Sequence, residues 1–135
     1  MATRSVIGYV EPNGSIVSVY CHWDGYPEHN GKKLVLSYAK RAKVKRLLER
    51  GDFSALTDNI RDIEYYADRE KNWYDAAESN PPKEHDDINA FANFWHDSGC
   101  EYFYLLTRQD AWAVSTAFDI CKFSYVEDVL KKVKL

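Results

Sequence analysis

The sequence predicts an α+β protein in which two β-hairpins form one antiparallel sheet of about four strands, packed with helices on one face. Val-, Ile- and Tyr-rich runs come in pairs around turn-forming residues near both ends of the chain. Between and after those pairs, apolar residues recur at helical spacing. With 135 residues, the chain is long enough for one core and short for two, so a single domain over 1–135 is expected.

The first pair is Ser5 to Val10 and Ser15 to Cys21, separated by Glu11-Pro12-Asn13-Gly14, which has hairpin turn chemistry. His22 to Asn30 then reads as a loop, with Gly25 and Gly31 serving backbone turns. From Lys32 to Tyr38, and again through Val44, Leu47 and Leu48, the spacing is helical, and Gly51 supplies a stop. Two short helices or one bent helix satisfy this pattern. From Asp52 to Asp87 the apolar anchors Phe53, Leu56, Ile60 and Ile63 are scattered, and Glu64 to Glu78 reads as an exposed helix broken by Asn80-Pro81-Pro82. Asp87 caps a clearer helix carrying Ile88, Phe91, Ala92 and Trp95 on one face, with Gly99 as its terminator. Glu101 to Thr107 and Ala111 to Thr116 form the second hairpin around Arg108-Gln109-Asp110. Ser124 and Glu127, at capping-box spacing, open a closing amphipathic helix through Val126, Val129, Leu130 and Val133.

Composition narrows the function classes. No apolar run approaches the roughly 20 residues that cross a bilayer, and the opening residues lack signal-peptide character, so no membrane partner and a cytoplasmic location are expected. Cys21, Cys100 and Cys121 match no zinc spacing and are expected to be reduced thiols. Basic residues crowd 31–50, eight against one acid, whereas Ile60 to Asp87 holds nine acids against four bases. Such asymmetry steers an anionic ligand, drives complementary association or marks solvated faces. The net charge of −3, and the separation of the basic residues from the aromatic strand Tyr102 to Leu105, argue against sequence-specific nucleic-acid binding. Aromatic residues make up 15% of the chain, with ten tyrosines and four tryptophans, more than a core of this size requires. The excess points to an interaction surface or a homo-oligomer contact.

Tyr20-Cys21-His22-Trp23-Asp24-Gly25-Tyr26-Pro27-Glu28-His29-Asn30 gathers the chemistry. Flat rings with polar rims on a loop after an apolar strand suit recognition, and Tyr20, His22, Trp23, Asp24, Tyr26, His29 and Asn30 are the candidate ligand- or partner-binding residues. His22 and Asp24, completed by His29, also offer a two-histidine, one-carboxylate metal set for a small metal-assisted hydrolase. Against that stands a structural role in which Asp24 caps the loop through backbone N–H groups and His22 bonds a neighbour. Cys21 and His22, adjacent on a strand, point to opposite faces and do not form a nucleophile pair. The chain carries no P-loop, dinucleotide fingerprint or serine-hydrolase elbow, so no catalytic residue and no cofactor is expected.

Thr3-Arg4-Ser5-x-Ile7-Gly8, then Val19 to Pro27 and Asn30-Gly31, resemble the motifs of a family of small bacteriophage and prophage proteins. Gly51 to Ser54 and the aromatic strand Glu101 to Leu105 before Trp112 are similar to the same family. No enzymatic activity comes with the resemblance. It implies a setting in the host-cell cytoplasm, in which small accessory proteins bind and block host machinery, including restriction, CRISPR and nucleotide-signalling defences. The implied partner is a host protein, gripped through Trp23 and Tyr26 with the acidic stretch imitating nucleic-acid charge, or a small nucleotide, stacked on those rings with basic residues on its phosphate.

Overall fold

A computed structural model describes residues 2–69 and 81–133. Its centre is a mixed sheet of six strands in the order β3-β2-β1-β4-β5-β6, not the four-stranded antiparallel sheet that the two hairpins alone predict. Both hairpins form where turn chemistry places them. Strands β1 (Ser5–Val10) and β2 (Ile16–Cys21) pair antiparallel around a turn closed by Gly14, at φ +92°, donating its N–H to Glu11 O. Strands β4 (Tyr102–Leu106) and β5 (Trp112–Thr116) do the same around Asp110.

The two hairpins join through a parallel pairing of their first strands, with Ile7 opposite Tyr104. Ser5 to Gly8 and Phe103 to Leu106 are buried on both faces, and strands apolar on both sides belong at the centre of a sheet. Gly8 leaves room on both sides: a Cβ there would lie 2.5 Å from Val17 O on β2 and 3.0 Å from Leu105 Cδ2 on β4. One side chain ties the parallel ends together: Arg41 donates to Val10 O at 2.8 Å, to Thr107 O at 2.6 Å and to the Asp110 carboxylate at 2.8 Å.

Two strands lie beyond the predicted set. The edge strand β3 (Lys83–His85) pairs with β2, and β6 (Asp119–Tyr125) pairs with β5 across a register shift. Because β6 runs through Ser124 and Tyr125, Ser124 is a strand residue and not the cap of the last helix.

Helices cover both faces, which corrects the one-face expectation. On one face, α1 (Lys32–Ser37), α2 (Arg41–Leu48) and α5 (Val126–Val133) bury Leu34, Leu47 and Val126 against Ile7, Val19 and Tyr104. The helical stretch 32–48 is therefore two helices, and Gly51 at φ +87° ends the second. A short helix, α3 (Tyr66–Arg69), starts within the helix expected over Glu64 to Glu78; 70–78, like much of the acidic stretch, lies outside the described residues. On the other face α4 (Ile88–Trp95) closes a smaller core of Val6, Ile16, Phe91, Trp95, Phe103 and Leu105. Asp87 caps α4 by accepting the Ala90 N–H at 2.8 Å. The helix stops at Trp95, before Gly99, because His96 turns to ψ 133° and Asp97 to φ +60°.

Candidate functional site

The stretch after β2 is a pinned turn, not an open loop. At the end of β2, the His22 and Trp23 N–H groups donate to Ser54 O at 3.1 and 2.9 Å, fastening the chain to the segment after α2. Asp24 then takes φ +57°, the left-handed region that favours glycine. Gly25 is not left-handed: it is needed for space, since a Cβ would lie 2.7 Å from Ser5 Cβ and 2.8 Å from Thr3 O. Its N–H donates to Thr3 O at 2.8 Å, and its carbonyl accepts the buried Tyr104 hydroxyl at 2.6 Å. Pro27–Gly31 closes as one wide, π-type turn that feeds directly into α1. Gly31 likewise supplies room, with Val126 Cγ1 3.1 Å from its virtual Cβ.

The candidate residues divide between scaffold and surface. Asn30 is fully buried. Its amide NH2 faces Ser5 Oγ at 3.3 Å, Cys21 Sγ at 3.5 Å and Trp23 O at 3.4 Å, and its Oδ1 accepts from His29 Nδ1 at 3.0 Å. Asn30 therefore holds the turn from inside and is not available to a ligand. Tyr20 is half-buried, and its hydroxyl shares a hydrogen bond with His22 Nδ1 at 2.6 Å. Burial pushes the Tyr20 phenol up to about 12, so it stays protonated.

Trp23 is 45% exposed and Tyr26 37%. The Trp23 ring meets His22 edge-on at 4.7 Å, and the Tyr26 ring meets His29 at 6.1 Å. The Asp24 carboxylate does not cap backbone N–H groups; it stands 3.9 Å from His29 Nε2, with its side chain 48% exposed. His22, by contrast, bonds a neighbour as the structural reading expects.

The metal set does not assemble. Asp24 and His29 are adjacent, but His22 Nδ1 is occupied by Tyr20, and among the described residues no three His, Cys, Asp or Glu side chains converge as metal ligands. Cys21 is buried in the sheet, and desolvation pushes its thiol up to about 12, far from a nucleophile's range.

Beside the turn lies an open groove of about 370 Å³ lined by Glu28, His29, Lys32, Lys33, Leu36 and Asp58. Leu36, 71% exposed, adds an apolar side chain to this surface that was not among the sequence candidates. Its signal was available: with Leu34 and Tyr38 facing the core one helical turn apart, Leu36 must point outward. At least half of the basic stretch is engaged within the chain. Lys33 pairs with Asp58 and Lys45 with Glu11, Lys43 donates to Ser37 O at 2.7 Å, and Arg41 braces the sheet. No helix is long and apolar enough to cross a membrane among the described residues.

No family model matches the chain, and neither a curated protein nor a solved structure matches it.

Proposed function

We propose that this chain is a phage-type accessory protein that acts by binding, without chemistry of its own, and blocks a component of host defence by gripping a protein through the 20–30 turn. One observation carries the reading: Trp23 and Tyr26 stand exposed on a turn whose backbone is fixed by N–H groups donated to Ser54 O and Thr3 O and by bonds received from Tyr104 and Asn30. Aromatic anchors that are ordered before contact lose little entropy on binding, which is what makes such residues interface hot spots. Leu36 extends the apolar area, and Glu28, Lys32 and Asp58 give it a polar rim.

A nucleotide signal is the weaker fit. Phosphate needs surplus positive charge, whereas the groove sets Glu28 and Asp58 against Lys32 and Lys33, and Lys33 is already paired with Asp58. The N-terminal resemblance to phage proteins supports the host-directed setting.

The test is phage plating on a panel of hosts carrying restriction, CRISPR or nucleotide-signalling defences, with the chain expressed in each. On at least one host, expression raises plating efficiency and Trp23→Ala/Tyr26→Ala removes the gain while the variant accumulates to the same level. No gain on any host, or a gain that the double variant retains, overturns the reading.

A further inference from the structure

His29 Nε2 and an Asp24 carboxylate oxygen stand 3.9 Å apart at the surface of the turn, and no hydrogen-bond donor from the described residues bridges them. Asn30 Oδ1 can only accept, so the 3.0 Å contact with His29 Nδ1 places the proton of the neutral imidazole on Nδ1 and leaves a lone pair on Nε2. The orientation of that amide is fixed in turn by the acceptors Ser5 Oγ and Trp23 O and by Cys21 Sγ, all facing its NH2. In the neutral imidazole Nε2 is then an acceptor, 3.9 Å from the Asp24 carboxylate oxygen, a distance beyond a direct hydrogen bond. Asp24 is held in this position by its φ of +57° and by the Asn30 N–H donated to its carbonyl.

We infer that this acceptor pair receives an arginine side chain of the partner protein. A single nitrogen at about 2.9 Å from each acceptor would subtend roughly 85° across the 3.9 Å gap, within the range of moderately bent N–H···acceptor bonds. Guanidinium carries several such donors in one plane and has no acceptor of its own, so it satisfies both atoms without a competing lone pair. The carboxylate supplies the opposite charge. Tyr26, whose ring stands against the same imidazole and is 37% exposed, adds a π surface next to the cation. This assignment rests on the 20–30 turn being the binding surface, and it names the chemistry that the surface selects.

The experiment uses the full chain, labelled with ¹⁵N, and reads the histidine ring nitrogens by two-bond ¹H–¹⁵N correlation at mildly alkaline pH. His29 should show the Nδ1–H tautomer. N-acetyl-arginine amide should then move its Nε2 resonance saturably, whereas N-acetyl-citrulline amide, the uncharged analogue of the same shape, should not. Asp24→Asn should weaken the arginine effect about tenfold, and its unchanged amide spectrum elsewhere would show that the fold is intact. An Nε2–H tautomer at His29, no saturable shift with arginine amide, or equal shifts with citrulline would each overturn the assignment. Plating gains that still depend on Trp23 and Tyr26 after such a result would show that this inference alone had failed.

Discussion

Tyr104→Phe is the cleanest probe of how the turn is held. The ring of Tyr104 is fully buried, and the substitution leaves that packing in place while removing the hydroxyl that donates to Gly25 O at 2.6 Å. Gly25 is itself buried, so its carbonyl loses a partner without gaining water. An orphaned buried group of this kind costs about 1–3 kcal/mol. Unfolding entropy of about 2.1 cal/mol/K per residue, taken over 135 residues, is about 0.28 kcal/mol/K. The melting temperature should therefore fall by roughly 4–10 °C, measured by circular dichroism. Native-state hydrogen exchange should show the Gly25 and Asn30 amides losing protection before those of β1 and β4. Under the proposed binding role, affinity for the partner should fall as well, since the turn would have to be ordered on contact. An unchanged melting temperature, or exchange that accelerates uniformly through the sheet, would refute the view that β4 anchors the turn through this hydroxyl.

Three further outcomes follow from the packing and the buried polar groups. Phe91→Ala should destabilise the chain by about 3–5 kcal/mol in urea denaturation, because Phe91 is fully buried and fills the smaller core under α4; a loss below about 1 kcal/mol would mean that this face is not a packed core. Alkylation of the native chain by iodoacetamide should label Cys121, which is exposed, and spare Cys21 and Cys100, which are buried with thiols pushed up by desolvation; mass spectrometry that finds Cys21 labelled first would contradict its burial in the sheet. His85 accepts or shares a hydrogen with Ser18 Oγ at 2.8 Å, which also receives Trp95 Nε1–H at 2.9 Å, and burial, then Lys83, lowers the pKa of this imidazole from its ordinary 6.5. Folding thus favours neutral His85, so its stabilising contribution is complete above 6.5 and is lost as pH falls from there through the lowered value; an NMR titration placing His85 above 6.5 would reverse the sign.

Both hairpins were legible in the sequence because their turns carry their own chemistry: Pro12-Asn13-Gly14 and Asp110 need nothing distant to form. The cap at Asp87 was legible for the same reason. The parallel join between β1 and β4 was not, since it depends on two strands buried on both faces and on Arg41 reaching Val10 and Thr107 across the fold. Lys83–His85 has no apolar pattern and becomes a strand only because β2 offers an edge. In β6, the register shift and the exposed Cys121 and Lys122 hide the alternation. At the site, the aromatic stretch was legible from residue type, but residue type left Trp23 and Tyr26 equally open to being surface anchors or lids over the sheet edge; the structure exposes both. The burial of Asn30 did not, because the atoms that satisfy its amide, on Ser5 and Cys21, come from the two strands of the first hairpin and meet it only in three dimensions. The left-handed Asp24 was equally hidden, since the neighbouring Gly25 reads as the turn residue and in fact serves close packing against Ser5.

The central claim is that two exposed rings are carried by a buried scaffold, and the most direct test compares the melting temperatures of Trp23→Ala/Tyr26→Ala and Asn30→Ala. The double variant should melt within a few degrees of the parent, because truncating exposed side chains removes little from the core. Asn30→Ala should melt several degrees lower, because Ser5 Oγ and Trp23 O lose a buried donor. The reverse order, with the rings sustaining the fold and Asn30 dispensable, would contradict the account.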